Sequence, residues 1–184
     1  MGGGVYPFLT AADPGRDGCR WESSVALFLS TITNKVDKKG RVSVPAAFRA
    51  NLSGPGAPAN GALVLFRSFQ YPALEGCTLD RMQELSARLD TLEQFSPEHD
   101  QLSTLFADAQ QLTLDSEGRI GLPEDLIVFA NISETVSFVG AGSTFQLWEP
   151  AAHAAHKEAM RERMRKNNTT LPPKGPASTP TVAP

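Results

Sequence analysis

Two short stretches of the chain, Arg41-Val-Ser-Val44 and Arg119-Ile-Gly-Leu122, alternate polar and apolar residues, and each follows Asp-x-x-Gly and precedes proline. A period of two marks a half-buried strand. The Asp-x-x-Gly before it is turn chemistry: aspartate bonds to nearby backbone and glycine accepts positive φ. Pro45 and Pro123 end the strands and suit the first turn of a short helix, predicted over residues 46–52 and 124–130. Laid over each other without a gap, residues 28–45 and 106–123 match Phe28 to Phe106, Val36 to Leu114, Asp37 to Asp115, Gly40 to Gly118, Arg41 to Arg119 and Pro45 to Pro123. The shared pattern Asp-x-x-Gly-Arg-(Val/Ile)-x-(Val/Leu)-Pro is an internal duplication.

Each copy then adds a second hairpin. In the first, residues 62–66 pair with a strand near 73–77; in the second, residues 135–139 turn at Gly140-Ala-Gly142 into 144–148. Between the copies Leu79, Met82, Leu85, Leu89 and Leu92 fall on one helical face. Ser96-Pro97 begins another helix, serine as cap and proline in the first turn, that buries Leu102, Leu105 and Phe106. A last helix runs from Glu149-Pro150 to Lys166. The pattern divides the chain into an extension over 1–27, a β module over 31–77, a helical linker over 78–106, a second β module over 109–152, a C-terminal helix over 153–166 and a tail over 167–184. The fold class is α+β.

Composition changes this picture little. The 184 residues are 41% hydrophobic with a mean hydropathy of -0.21, ordinary for a chain that builds a core. The 15 glycines and 14 prolines crowd into residues 2–18, 54–61 and 172–184, which read as flexible or disordered. The N-terminal stretch reads as a disordered extension or as the product of a start codon assigned too early. Of the two cysteines, Cys19 lies in the Gly-rich leader, so the sequence points to free thiols and a reducing cytoplasm rather than a disulfide. No apolar run approaches the ~20 residues that span a bilayer, and no secretory signal pattern opens the chain.

The two copies, their spacing, the helical linker and the Phe145-Gln-Leu-Trp148 strand before a last helix resemble the MraZ family, whose chains carry two tandem SpoVT/AbrB-type modules. The resemblance covers about residues 28–166, and residues 1–24 depart from it. It implies two pseudo-symmetric swapped-hairpin AbrB-like modules forming one barrel within a chain, and a ring-shaped homo-oligomer. It also implies transcription regulation in the cytoplasm and nucleoid, through short promoter repeats in double-stranded DNA upstream of the division and cell-wall gene cluster. No cofactor, metal or small-molecule substrate is expected.

Charge distinguishes the copies. A net charge of -3 argues for no nucleic-acid partner by itself. Locally, residues 28–52 hold Lys35, Lys38, Lys39, Arg41 and Arg49 against Asp37, a balance of +4. The equivalent residues 106–130 hold Asp108, Asp115, Glu117, Glu124 and Asp125 against Arg119, a balance of -4. Cations that neutralise phosphates release counterions, so the basic copy is the expected DNA surface. On it Lys38 and Lys39 reach phosphates, Arg41 is the candidate for bidentate contact to guanine, and Arg49 adds a phosphate clamp. A lone lysine has the competing reading of a solvated surface charge. Asp37, Gly40, Asp115, Gly118 and Arg119 are read as turn and structural residues.

Other signals point elsewhere and are weaker. His153 and His156 are spaced to share a helix face but lack further metal ligands nearby, and read as surface histidines. No Ser-His-Asp order, Gly-rich phosphate loop or Cys-x-x-Cys occurs, so an enzyme on a related barrel finds no support. An antitoxin is the rival class, because residues 157–184 form a basic helix end followed by a tail; antitoxins of that kind carry one module, and this chain has two.

Overall fold

The computed structural model describes residues 26–53 and 58–167. The readings of residues 1–25, 54–57 and 168–184 as extension, loop and tail, and of Cys19, lie outside the described residues. Eight strands and five helices follow in the order β1 (Thr31–Lys35), β2 (Arg41–Ser43), α1 (Ala46–Arg49), β3 (Ala62–Arg67), β4 (Leu74–Cys77), α2 (Leu79–Leu89), α3 (Pro97–Asp108), β5 (Gln110–Thr113), β6 (Arg119–Gly121), α4 (Glu124–Phe129), β7 (Thr135–Gly140), β8 (Phe145–Trp148) and α5 (Pro150–Lys166). The class is α+β. Among the described residues no helix is long and apolar enough to cross a membrane.

The strands form a six-stranded antiparallel sheet in the order β1-β7-β8-β4-β3-β5 and a separate ribbon of β2 with β6. The first strand of each copy joins the hairpin of the other: β1 pairs with β7, and β5 with β3. A closed barrel, as expected from sequence, does not form among the described residues. β1 and β5 stand at opposite ends of the sheet order, and a single bridge, Val36 to Val42, ties β1 to the strand that follows it. The strands that would complete a closure, β2 and β6, have three residues each and use their ladder on one another.

Alternation along the strands builds two cores on the two sheet faces. Leu63 and Leu65 of β3, Val136 and Phe138 of β7, and Phe145 and Leu147 of β8 meet Val42, Val44, Ile120 and Leu122 from the ribbon segments, together with Phe48 of α1 and Leu126 of α4. Phe28, Phe48, Phe138 and Phe145 pack edge-on or tilted, with ring centroids 4.8 to 6.4 Å apart. On the opposite face Val64, Phe66, Cys77 and Met82 pack under α2 and α3, against Leu79, Leu85, Leu105 and Phe106. Leu102, Leu105 and Phe106 are only partly buried, because α3 covers a second layer rather than the central core.

Capping explains the helix starts. Thr78 and Ser96 accept backbone N–H bonds from Arg81 and His99, and the Glu149 carboxylate accepts one from Ala152. With Glu149 as cap and Pro150 in the first turn, α5 begins at residue 150, ahead of residue 153.

Candidate nucleic-acid interface

The ribbon carries two turns built to one plan. In the first, the Asp37 carboxylate accepts the backbone N–H of Lys39 at 2.8 Å and of Arg41 at 2.9 Å, while its second oxygen takes Arg41 Nε at 2.8 Å and Nη2 at 2.7 Å. In the second, Asp115 accepts the N–H of Glu117 and of Arg119 at 2.9 Å each, and Arg119 Nε at 2.9 Å. Gly40 and Gly118 close the turns at φ +72° and +74°, where a side chain would be strained. Accepting the backbone N–H of its own arginine is the main reason each carboxyl lies below the ordinary range, Asp37 at about 2.

The tips differ. Lys38-Lys39 stand where the second turn has Ser116-Glu117. In the second turn Glu117 engages Arg119 Nη1 at 2.6 Å, so that this arginine pairs with two carboxylates. In the first turn Lys39 occupies that position and repels a cation, so Arg41 spends Nε and Nη2 on Asp37 and has no partner for Nη1 among the described residues. Lys35, Lys38 and Lys39 are exposed and form no ion pair among the described residues. Clamped through one edge and open at the other, Arg41 is pre-oriented to donate outward.

Val42 and Ile120 point into the core at 1% exposure, so Arg41, Ser43, Arg119 and Gly121 lie on the outward face of the ribbon. Gly121 opposite Arg41 and Ser43 opposite Arg119 keep that face low, and a Cβ at Gly121 would meet nothing within 4 Å. Arg119, read from sequence as structural, thus shares the face with Arg41, although its Nε and Nη1 are engaged by Asp115 and Glu117.

The structure brings Lys35, Lys38, Lys39 and Arg41 together but places Arg49 elsewhere. A Cβ on Gly118 would lie 2.0 Å from Arg49 Nη1, so the α1 arginine rests on the turn of the other copy. Its sequence equivalent, Ile127 of α4, rests in the same way on Gly40, 3.3 Å from the corresponding position. Exchange of the first strands is the cause: each short helix packs beside the opposite turn.

Sequence reasoning missed Arg67. Its guanidinium bonds both Asp108 and Asp125, its backbone N–H donates to Asp108 at 2.8 Å, and it lies 5.7 Å from the Phe129 ring centroid. Two of the five acids of the second copy are thereby neutralised from β3. The one available signal was the uncompensated acid excess itself.

His153 and His156 are packed rather than free on the surface: His156 stacks on Trp148 at 5.0 Å and meets Tyr71 edge-on at 4.6 Å. Burial lowers the pKa of His153. The Cys77 thiol is buried, which pushes its pKa up to about 12 and keeps it unreactive. Among the described residues no three His, Cys, Asp or Glu side chains gather as a metal site.

A family model described as "MraZ protein, putative antitoxin-like" matches residues 105–171. Among curated proteins the chain is similar to "Transcriptional regulator MraZ" of Pelagibacter ubique (strain HTCC1062), 44% identical over 79% of this chain and 92% of the relative. The protein of that name from Gluconobacter oxydans (strain 621H) is 42% identical over 85% of this chain and 94% of its own length. That of Gluconacetobacter diazotrophicus is 41% identical over 82% and 95%. Identity of this level along nearly the whole length of the relatives, on a chain with two matched turn motifs, means that the chain belongs to the MraZ family.

Proposed function

We propose that this protein is a sequence-specific DNA-binding transcriptional regulator, not an enzyme, and that it grips short promoter repeats through the basic turn of its first copy. The observation that carries the reading is the contrast between matched turns: one tip gives its arginine a second carboxylate, Glu117, while the other sets the exposed Lys38 and Lys39 beside Arg41. Arg41 reads guanine through its open edge, Lys35, Lys38 and Lys39 hold phosphates, and Arg49 contacts a phosphate from the far end of the ribbon. The sheet order supports two pseudo-symmetric AbrB-like modules with exchanged hairpins, since β1-β7-β8 from one end corresponds to β5-β3-β4 from the other. The relatives' shared name supports regulation; the division and cell-wall cluster, and a cytoplasmic, nucleoid-associated location, follow from the family resemblance.

Few cations per chain favour use of several chains at once. In a ring-shaped homo-oligomer, adjacent basic turns engage successive repeats, and tethering raises the effective concentration for each further contact. Binding is therefore expected to rise steeply from one repeat to three, with a salt slope that grows by ~0.9 per added phosphate contact. Titration of both DNAs at several salt concentrations, alongside light scattering of the free protein, tests this. A monomer with equal affinity per repeat and an unchanged slope contradicts it.

A further inference from the structure

The C-terminal part of α5 is exposed and basic. From Arg161 to Asn167 every residue is exposed, and Met164 shows 51% of its surface to solvent. Residues 157–166 carry Lys157, Arg161, Arg163, Arg165 and Lys166 against Glu158 and Glu162, a balance of +3. Glu158 approaches Arg161 at 3.7 Å and Arg165 at 3.9 Å, exposed pairs that contribute little.

A complementary surface lies on the same sheet face. Residues 79–108, which include α2 and α3, hold seven acids against Arg81 and Arg88, a balance of -5. There a groove of about 350 Å³ is lined by Phe69, Leu102 and Leu105 together with Gln101, Glu98 and Arg88, which approaches Glu98 at 3.7 Å. Phe69 is 64% exposed, and Phe95 of the α2–α3 connection is 85% exposed while held at φ +66°. A bulky residue at positive φ is unfavourable, and Phe69 adds exposed aromatic surface to the groove.

We infer that the occupant of this groove is α5 of a second copy of the chain, Met164 entering between Phe69, Leu102 and Leu105 while Arg161 and Arg165 meet Glu98 and Asp100. The interface is heterologous: helix end on one subunit, groove on the next, an arrangement that closes into a ring when the rotation allows. Position in the fold favours a protein partner over DNA. α5 stacks on Trp148, whereas the neighbouring β8 residues Phe145 and Leu147 face the ribbon core, so the helix lies on the sheet face opposite the DNA-contacting turns. Subunits joined through this face leave every basic turn outward. The inference deepens the oligomer proposed above and rests on it.

A charge exchange tests it on the full-length protein, with circular dichroism to confirm folding. Arg161→Glu with Arg165→Glu, and separately Glu98→Lys with Asp100→Lys, are expected to weaken assembly at least tenfold by light scattering over a dilution series at 0.15 M salt, a concentration that leaves partly buried pairs effective. Combining all four changes in one chain restores opposite charges at every contact and is expected to restore the wild-type mass. A wild-type monomer overturns both this interface and the oligomeric reading. If the wild type assembles but the helix variant keeps its full mass, or the combined variant fails to recover, the interface lies elsewhere and the oligomeric reading stands. A helix variant of unchanged mass that loses DNA affinity instead makes α5 a phosphate contact.

Discussion

The two turns of the ribbon make a controlled comparison within one molecule. Backbone, carboxylate and guanidinium bonds agree between them to about 0.1 Å, from Asp37 with Arg41 to Asp115 with Arg119. What differs is the pair of residues between aspartate and glycine. Asp, Gly and Arg therefore define the scaffold, and the tip defines what it offers: Ser116-Glu117 sets a second carboxylate on the arginine, Lys38-Lys39 adds two cations beside it. A motif shared by both copies consequently says little about which copy acts.

The strongest way to break the comparison is to remove each arginine. Arg41→Ala and Arg119→Ala delete equivalent clamps, on Asp37 and on Asp115, and Arg119→Ala also removes the pair with Glu117, so its stability cost should be the larger. Only Arg41→Ala should lose ~1–3 kcal/mol of affinity for the preferred site. Fluorescence anisotropy on specific DNA measures this, and equal losses for the two variants would erase the distinction.

The glycines sharpen the structural half of the comparison. Gly40→Ala and Gly118→Ala each force a side chain to positive φ, at a cost of ~1–2 kcal/mol. At Gly118 the new methyl also collides with Arg49, while at Gly40 it meets Ile127 Cδ1 and the Leu122 carbonyl more gently, each at 3.3 Å. A double-mutant cycle in urea is expected to show Arg49 coupled to Gly118 and not to Gly40. Coupling to Gly40 would mean that the short helices pack beside their own turns.

A gain of function is the next test. Glu117→Lys removes the second acid from Arg119 and gives the second tip the lysine that the first has at position 39, so affinity for non-specific DNA should rise severalfold and the salt slope by about 0.9. No change would show that the second turn is kept from DNA by position rather than by charge.

The smallest effect is on pH. The carboxyl of Asp37 falls from 3.8 to about 2 in the fold, so its contribution is complete above pH 4 and lost as pH drops toward 2. The group is exposed and the effect modest. Thermal midpoints between pH 4 and 2 should fall less steeply in Asp37→Asn than in the wild type, and parallel curves would exclude the clamp as a source of stability.

Local patterns in the sequence carried the strands, turns, short helices and the charge contrast, because Asp, Gly, Pro and alternating apolar residues act within a few positions of one another. The long-range pairings were less legible. Arg49 stands 69 residues before Gly118 in sequence, and only the exchange of β1 and β5 brings the two together. Arg67 lies outside both repeated stretches, so nothing local linked it to Asp108 and Asp125. The absence of closure between β1 and β5 depends on how three-residue strands spend their hydrogen bonds, which apolar periodicity does not encode. His153 and His156 looked like surface residues because their partners, Tyr71 and Trp148, come from other elements.

The central claim is that the first tip is the DNA contact, and salt dependence reads it most directly. Lys38→Ser with Lys39→Glu gives the first turn the tip of the second while retaining Asp37, Gly40 and Arg41. The dependence of log affinity on log salt should become shallower by about 1.8, the equivalent of two lost phosphate contacts, on DNA that carries the repeats. A slope equal to that of the wild type, in a variant that remains folded and assembled, would contradict the account.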